Sequence, residues 1–391
     1  MIDVDALYDW LVDGAPGAAG SADVLQRLGD DLAAAGVRVT RIAAFVRTLH
    51  PSVMGRRFVW QRGAAEVEVI APPHAITATD EYLKSPVNVV TTTGRELRLR
   101  LDGSTPFDFE IVEQQRQAGV TDYLCLPLRF LSGETHAVAY STDARDGFSD
   151  EEVAALRTVT RPLARLAEIL ALRRTATALL DAYVGRDAGE RILRGQIQRG
   201  HTESIRCVIW FSDLRGFTSM SGGADPADII VVLNRVFDCQ VPAVERHGGE
   251  VLKFMGDGML AIFPTGAIDD ARPPAAVCAR ALAATNDAFA ALDALNAERA
   301  ATRDPPLAFG VSLHLGDVAY GNIGGAVRLD FTAIGPAVNL AARIEGLTGR
   351  LGKRLLVSDD FARACTAPLR PVGTFELKGV VGAATVHEPI A

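Results

Sequence analysis

Two aspartates, Asp213 and Asp257, are the residues whose type and spacing could do chemistry. Asp213 closes an apolar run in FSDLRGFT, and an aspartate there commonly caps the helix that follows. Asp257 belongs to an Asp-Gly pair between two apolar runs, the strongest short signal for a hairpin turn. Singly, each reads as structural. Their context changes that. A strand over 206–211, a helix over 226–247, a hairpin of 251–255 and 259–263, a helix over 271–297 and a strand over 307–313 follow one another. This is the β-α-β-β-α-β order of a ferredoxin-like α+β domain. In that arrangement the first strand borders the hairpin, so its end and the hairpin tip meet at one edge of the sheet. Two carboxylates there suit hard divalent cations, and a two-metal clamp is a recurrent solution for in-line displacement at phosphorus.

Other residues gather around the pair. Lys253 lies four positions before Asp257, on the hairpin, where a lysine is ordinarily solvated. Gly216, Phe217 and Thr218 form a turn into a helix, whose free N–H groups favour anions. Asn339 and Arg343 lie four apart on an expected helix over 336–347 and therefore share a face. A permanently charged guanidinium suits developing phosphoryl charge; the alternative is an exposed arginine paired with an acid such as Glu345. Thr332, seven positions before Asn339, reads alone as a strand threonine.

Three segments, FSDLRGFTSMS, VERHGGEVLKFMGDGMLAIF and HLGDVAYGNIGGAVRLDFTAIGPAVNLAARIEGL, resemble in order and spacing a class III adenylyl/guanylyl cyclase catalytic domain, over about 205–390. The resemblance implies that Asp213 and Asp257, with the Leu214 carbonyl, hold two Mg²⁺ or Mn²⁺ ions per active site. It implies phosphate contacts from Gly216, Phe217 and Thr218, and from Lys378 and Arg328. Lys253 and Thr332 match the base-contacting pair of a Lys/Thr subgroup that uses ATP. A lysine donates to adenine N1, whereas guanine N1 carries a hydrogen. Asn339 matches the residue that orients the ribose, and Arg343 the one that stabilises the α-phosphate. Pro336 departs from the family's usual acidic or amide residue, at a first-turn position where proline is favoured. In the family the metal and transition-state residues come from different subunits, so a homodimer is implied. The implied reaction is closure of ATP to cyclic AMP; a guanylate cyclase and a silent nucleotide-binding regulator are the alternatives.

The rest of the chain must position this set. Residues 1–148 read as an α+β domain: short helices before 36, split at 14–20, then strands over 39–47, 57–60, 67–70, 97–101, 123–128 and 136–140, with a helix over 108–118. The piece GFSDEEVAALRTVTRPLARLAEI resembles the closing helix of GAF domains, which implies a sensor for an unknown small molecule or signal. Ser149 and Glu152 form a capping box. Residues 149–204 read as a signalling helix and linker ahead of a catalytic domain over 205–391. Leu156, Val159, Leu163, Leu166 and Leu170 make a heptad seam that either packs on its own domain or pairs with a second copy and aligns two chains, and Pro162 should kink it.

The bulk composition is ordinary for a globular chain. Of 391 residues, 48% are hydrophobic and 23% charged, so each half can bury a core. A net charge of −8 argues against nucleic acid as a partner. Five cysteines without a CxxC pair fit a reduced, cytoplasmic chain, with Cys125 a candidate redox position. His247 and His314 lack metal-ligand partners at helical or hairpin spacing and read as structural. No run of about 18 uncharged apolar residues predicts a membrane span.

Overall fold

A computed structural model describes residues 2–49, 53–103, 107–223, 225–266, 273–380 and 382–390. The chain divides into two compact units, Met1–Leu179 and Leu180–Ala391.

The first unit begins with helices α1 (Asp5–Val12) and α2 (Ser21–Ala34), followed by strands β1 (Arg41–Arg47), β2 (Gly55–Gln61) and β3 (Glu68–Ile70). Helices α3 (Asp80–Leu83) and α4 (Pro86–Thr93), strand β4 (Leu97–Arg100) and helix α5 (Glu110–Gln117) come next. Strands β5 (Asp122–Arg129) and β6 (Thr135–Thr142) and the 35-residue helix α6 (Asp150–Val184) follow. The strands form one sheet in the order β3-β2-β1-β6-β5-β4. One face packs on α1, α2 and α6 around Leu28, Leu32, Trp60, Leu124 and Leu156. The other packs on α4 and α5 through Val90, Val112 and Cys125. Burial pushes the Cys125 thiol up to about 12, so it is not the exposed thiolate that redox chemistry needs.

Helix α4 is the element that the sequence conceals. PVNVVTTT is rich in strand formers, yet Ser85 Oγ accepts from the Asn88 N–H at 3.1 Å and Pro86 occupies the first turn. Those local signals overrule propensity. The heptad seam of α6 packs on its own unit, one of the two uses that the sequence leaves open. Leu156, Val159, Leu163 and Leu166 are buried in their own unit's core, and Leu170 packs against it. They are therefore not available to align two chains. The helix continues through Pro162.

The second unit starts with helix α7 (Arg186–Leu193), strand β7 (Thr202–Leu214), and helices α8 (Phe217–Ser221) and α9 (Pro226–Arg246). The hairpin β8 (Glu250–Met255) and β9 (Gly258–Pro264), helix α10 (Pro274–Ala301) and strand β10 (Phe309–Gly324) follow. Strand β11 (Leu329–Ile334), helix α11 (Pro336–Arg350), strand β12 (Leu355–Ser358), helix α12 (Asp359–Ala364) and strands β13 (Leu369–Glu376) and β14 (Ala383–Pro389) complete it. The sheet order is β13-β14-β12-β10-β7-β9-β8, with β11 on β10. The stretch β10-β7-β9-β8, with α9 after β7 and α10 after β9, is the ferredoxin-like arrangement. Trp210, Phe263, Val277 and Ala281 fill the side under α9 and α10. Ile209, Leu260, Ala337 and Ala341 fill the side under α11, where Ala188 of α7 also buries.

His247 pairs with Asp287 at 3.0 Å, and buried His314 meets the Ser358 hydroxyl at 2.8 Å, so both histidines have structural partners. Among the described residues no helix is long and apolar enough to cross a membrane.

The capping box at the start of α6 carries a further tie. Ser149 N–H donates to Glu152 Oε2 at 2.7 Å, and Glu152 N–H donates to Ser149 Oγ at 3.2 Å. Arg38, next to β1, donates to both Glu152 oxygens. Burial alone would raise the Glu152 carboxyl; the bonds from the Arg38 side chain and from the Ser149 and Arg38 N–H groups outweigh it and hold it at about 2. A depressed carboxylate stabilises the fold above its unfolded pKa and loses that contribution as pH falls through the folded one. Glu152→Gln should therefore lower the stability of this unit by about 2 kcal/mol at pH 7. In thermal melts the gap to wild type should close as pH falls from 4.5 towards 2.

Candidate active site

The carboxylate pair is built by ladder register. Strand β7 runs antiparallel to both neighbours and sets Asp213 opposite Gly258 of β9 and Gly310 of β10. Asp257 occupies the turn from β8 to β9, just before Gly258, with Gly256 at φ 66° supplying the left-handed turn residue. A Cβ at position 258 would lie 3.2 Å from Asp213 Oδ1. Glycine there leaves the carboxylate its space. Burial, then the adjacent Asp257 charge, raises the Asp213 carboxyl above its ordinary value, against the pull of Arg215. Among the described residues no cluster of three or more His, Cys, Asp or Glu side chains is arranged to hold a metal. The donor set is thus a pair of hard oxygen ligands whose mutual repulsion a divalent cation would relieve, which fits magnesium or manganese.

The chain neighbours of Lys253 and Thr332 share one core. Leu252, next to Lys253, is buried with Phe331 and Ala333, which flank Thr332. A bulge at Leu252 adjusts the β8 register just before Lys253. The Lys253 ammonium has no ion-pair partner among the described residues. Thr332 is 3% exposed and its Oγ1 has no hydrogen-bond partner among the described residues. An unmet buried hydroxyl costs about 1–3 kcal/mol, a cost that a polar ligand edge would remove.

Helix α11 presents Asn339 and Arg343 to solvent. Glu345 does not pair with Arg343, the alternative the sequence leaves open. It turns inward, is buried, and lies 3.5 Å from Arg215. Burial pushes its carboxyl up to about 7 despite Arg215 and Thr348, with Asp213 and Asp257 adding to the rise. Pro336 takes the first helical position, where its missing N–H has no cost.

The remaining positions lie apart. Gly216, at φ 71°, precedes α8, and Phe217 packs on the core. Thr218 stands in α8, its side chain outside the described residues. Arg328 is exposed in the connection from β10 to β11, and Lys378 is exposed after β13. Neither has an ion-pair partner among the described residues. Sequence reasoning missed Arg215 as a partner of Glu345 and Thr348, since nothing in FSDLRGFT reports contacts with residues about 130 positions away.

Residues 201–387 match the family model for the adenylate and guanylate cyclase catalytic domain. The chain is 35% identical over 172 residues to an adenylate cyclase of Anabaena cylindrica, covering 44% of this chain and 33% of that protein. It is 30% identical over 182 residues to adenylate cyclase 1 of Rhizobium meliloti (strain 1021), covering 46% and 27%. The chain thus spans about a third of the length of these curated relatives. Among solved structures, the guanylyl cyclase Cya2 is 31% identical, with 48% of this chain and 92% of that chain covered and a TM-score of 0.41.

The pairing of Asp213 with Asp257 predicts a stability signature. A carboxyl whose folded pKa is raised destabilises the fold once ionised, fully above the folded pKa and not at all below the unfolded one. Asp257→Asn removes the like charge. Without added metal at pH 7 it should raise the melting temperature by about 1–3 °C, and the gain should vanish below about pH 4. Manganese should raise the wild-type melting temperature and leave that of the variant unmoved.

Proposed function

We propose that this chain, whose residues 201–387 form an adenylate and guanylate cyclase catalytic domain, closes ATP into 3′,5′-cyclic AMP with release of pyrophosphate. The observation that carries the reading is the register that sets Asp213 beside Asp257 at one sheet edge. Asp213, Asp257 and the Leu214 carbonyl would hold two Mg²⁺ or Mn²⁺ ions. When bound, these cations supply charge neutralisation for the triphosphate and acidify the ribose 3′-hydroxyl.

The protein's own groups do the positioning. Lys253 donates to adenine N1, and the unpartnered Thr332 hydroxyl accepts from the adenine amino group. The backbone N–H groups of Gly216, Phe217 and Thr218 bind phosphate oxygens, assisted by Lys378 and Arg328. Asn339 orients the ribose, and Arg343 offsets the charge gathering on the α-phosphate. The 3′-oxygen attacks the α-phosphorus in line, the bond to the bridging oxygen breaks, and the hydroxyl proton leaves with water or pyrophosphate.

A homodimer completes the site, with Asp213 and Asp257 of one chain facing the partner's Asn339 and the partner's Arg343. Support comes from the outward Asn339 and Arg343 and from exposed apolar Ile230, Val231 and Phe254. Such side chains mark an association surface when they cluster. The N-terminal unit acts as a sensor for a small ligand and biases the dimer; the boundary between the units falls inside α6.

Purified chain with Mn²⁺ should make cyclic AMP from ATP faster than cyclic GMP from GTP, and Lys253→Glu should reverse that order. Asp213→Ala and Arg343→Ala should each reduce turnover about 100-fold or more. Mixed, the two variants should recover up to about a quarter of wild-type activity, since half of the dimers then carry one intact site of two. No cyclic nucleotide from either substrate would sink the cyclase reading, and no recovery on mixing would sink the shared site.

A further inference from the structure

Arg215 follows the strand end that carries Asp213, and its side chain reaches across to helix α11. The guanidinium donates to Thr348 Oγ1 and lies 3.5 Å from Glu345 Oε1. Thr348 is fully buried, Glu345 is 5% exposed, and Thr348 Oγ1 in turn reaches Glu345 Oε1 at 3.1 Å. The guanidinium fills a slot bounded by Gly310 and Gly349, where a Cβ on either would collide with it. Gly310 is also the ladder partner of Asp213. The Arg215 N–H donates to the Ala308 carbonyl at 2.7 Å, so the residue is fixed at both ends.

Glu345 and Thr348 sit on the inward side of α11, and Asn339 and Arg343 on its exposed side. The clamp therefore ties the strand end of Asp213 to the helix of Arg343 within one chain. Under the dimeric reading above, on which this inference rests, those two residues serve different active sites. Asp213 works with the partner's Arg343, and Arg343 works with the partner's Asp213.

We propose that Arg215, Glu345 and Thr348 are positioning residues that join the two active sites of the dimer, each clamp setting the metal-binding edge of one site and the transition-state helix of the other. The planar guanidinium fork is pre-organised and loses less freedom per hydrogen bond than a flexible ammonium. Such a link is a discrete packed contact running from one half-site to the other, and packed side chains of this kind can carry coupling.

The one-site dimer made from Asp213→Ala and Arg343→Ala chains separates this role from local support. In its working site, the Asp213→Ala chain supplies only Asn339, Arg343 and the base-contacting residues. Arg215→Gln added to that chain should lower kcat about tenfold with the ATP KM within about threefold. Added instead to the Arg343→Ala chain, it should also lower kcat, through Asp213. Thr348→Val, a milder change that keeps the side-chain volume, should act the same way to a smaller extent, and it serves if Arg215→Gln does not fold. Arg215→Lys, which keeps the charge but not the fork, should restore little. Unchanged kcat when the Asp213→Ala chain carries either variant, in dimers that melt as the parent does, would overturn the proposal. Failure of the parent mixture to recover activity would instead overturn the dimeric reading.

Discussion

Two like charges held side by side at a sheet edge are the constraint on which the C-terminal unit turns. Asp213 and Asp257 do not meet through flexible loops. They meet because β7 pairs with β9 in a register that leaves Asp213 opposite Gly258, one residue from Asp257. A slip of one residue would turn Asp213 to the other face. The cores on both sides of the sheet prevent that slip: Trp210 buries on one face and Ile209 on the other. The packing energy of the sheet therefore holds the electrostatic strain in place.

The same sheet distributes the other functional positions. β8 carries Lys253 and joins the Asp257 turn; β10 passes beside β7 and continues out to hold β11, with Thr332 opposite Gly321. Helix α11 follows β11 directly and is anchored by Ala337, Ala341 and Ile344. The two aspartates, Lys253, Thr332, Asn339 and Arg343 thus hang on neighbouring strands and one packed helix.

Much of this was legible before the structure. The β-α-β-β-α-β order, the hairpin about Asp257 and the capping box at Ser149 and Glu152 are local patterns, and local patterns survive translation into three dimensions. Three features resisted. Helix α4 hid behind β-branched residues because one serine cap and one proline outweigh propensity. The α6 heptad left its partner open because periodicity reports an apolar face without naming what covers it; here Leu156 and Leu163 meet their own unit's core. The Arg215 clamp was invisible because its slot is made by absent side chains, those of Gly310 and Gly349, far away in sequence.

The folded unit carries groups whose partners it does not supply. Among the described residues the buried Thr332 hydroxyl has no hydrogen bond and exposed Arg343 no acidic partner, and the Asp213 carboxyl is raised by burial and a neighbouring like charge. Each is a cost or a missed gain for an isolated chain, and folding alone does not explain keeping them together. A base edge, a divalent cation and a developing phosphoryl charge would meet the three in turn. Because the three defects differ in chemistry, one nucleotide–cation complex is a more economical explanation than three separate ligands. Inward-facing Glu345 supports the same logic: it takes Arg215 as its partner, and Arg343 has no acidic partner among the described residues, so its guanidinium charge remains available to whatever docks on the exposed face of α11.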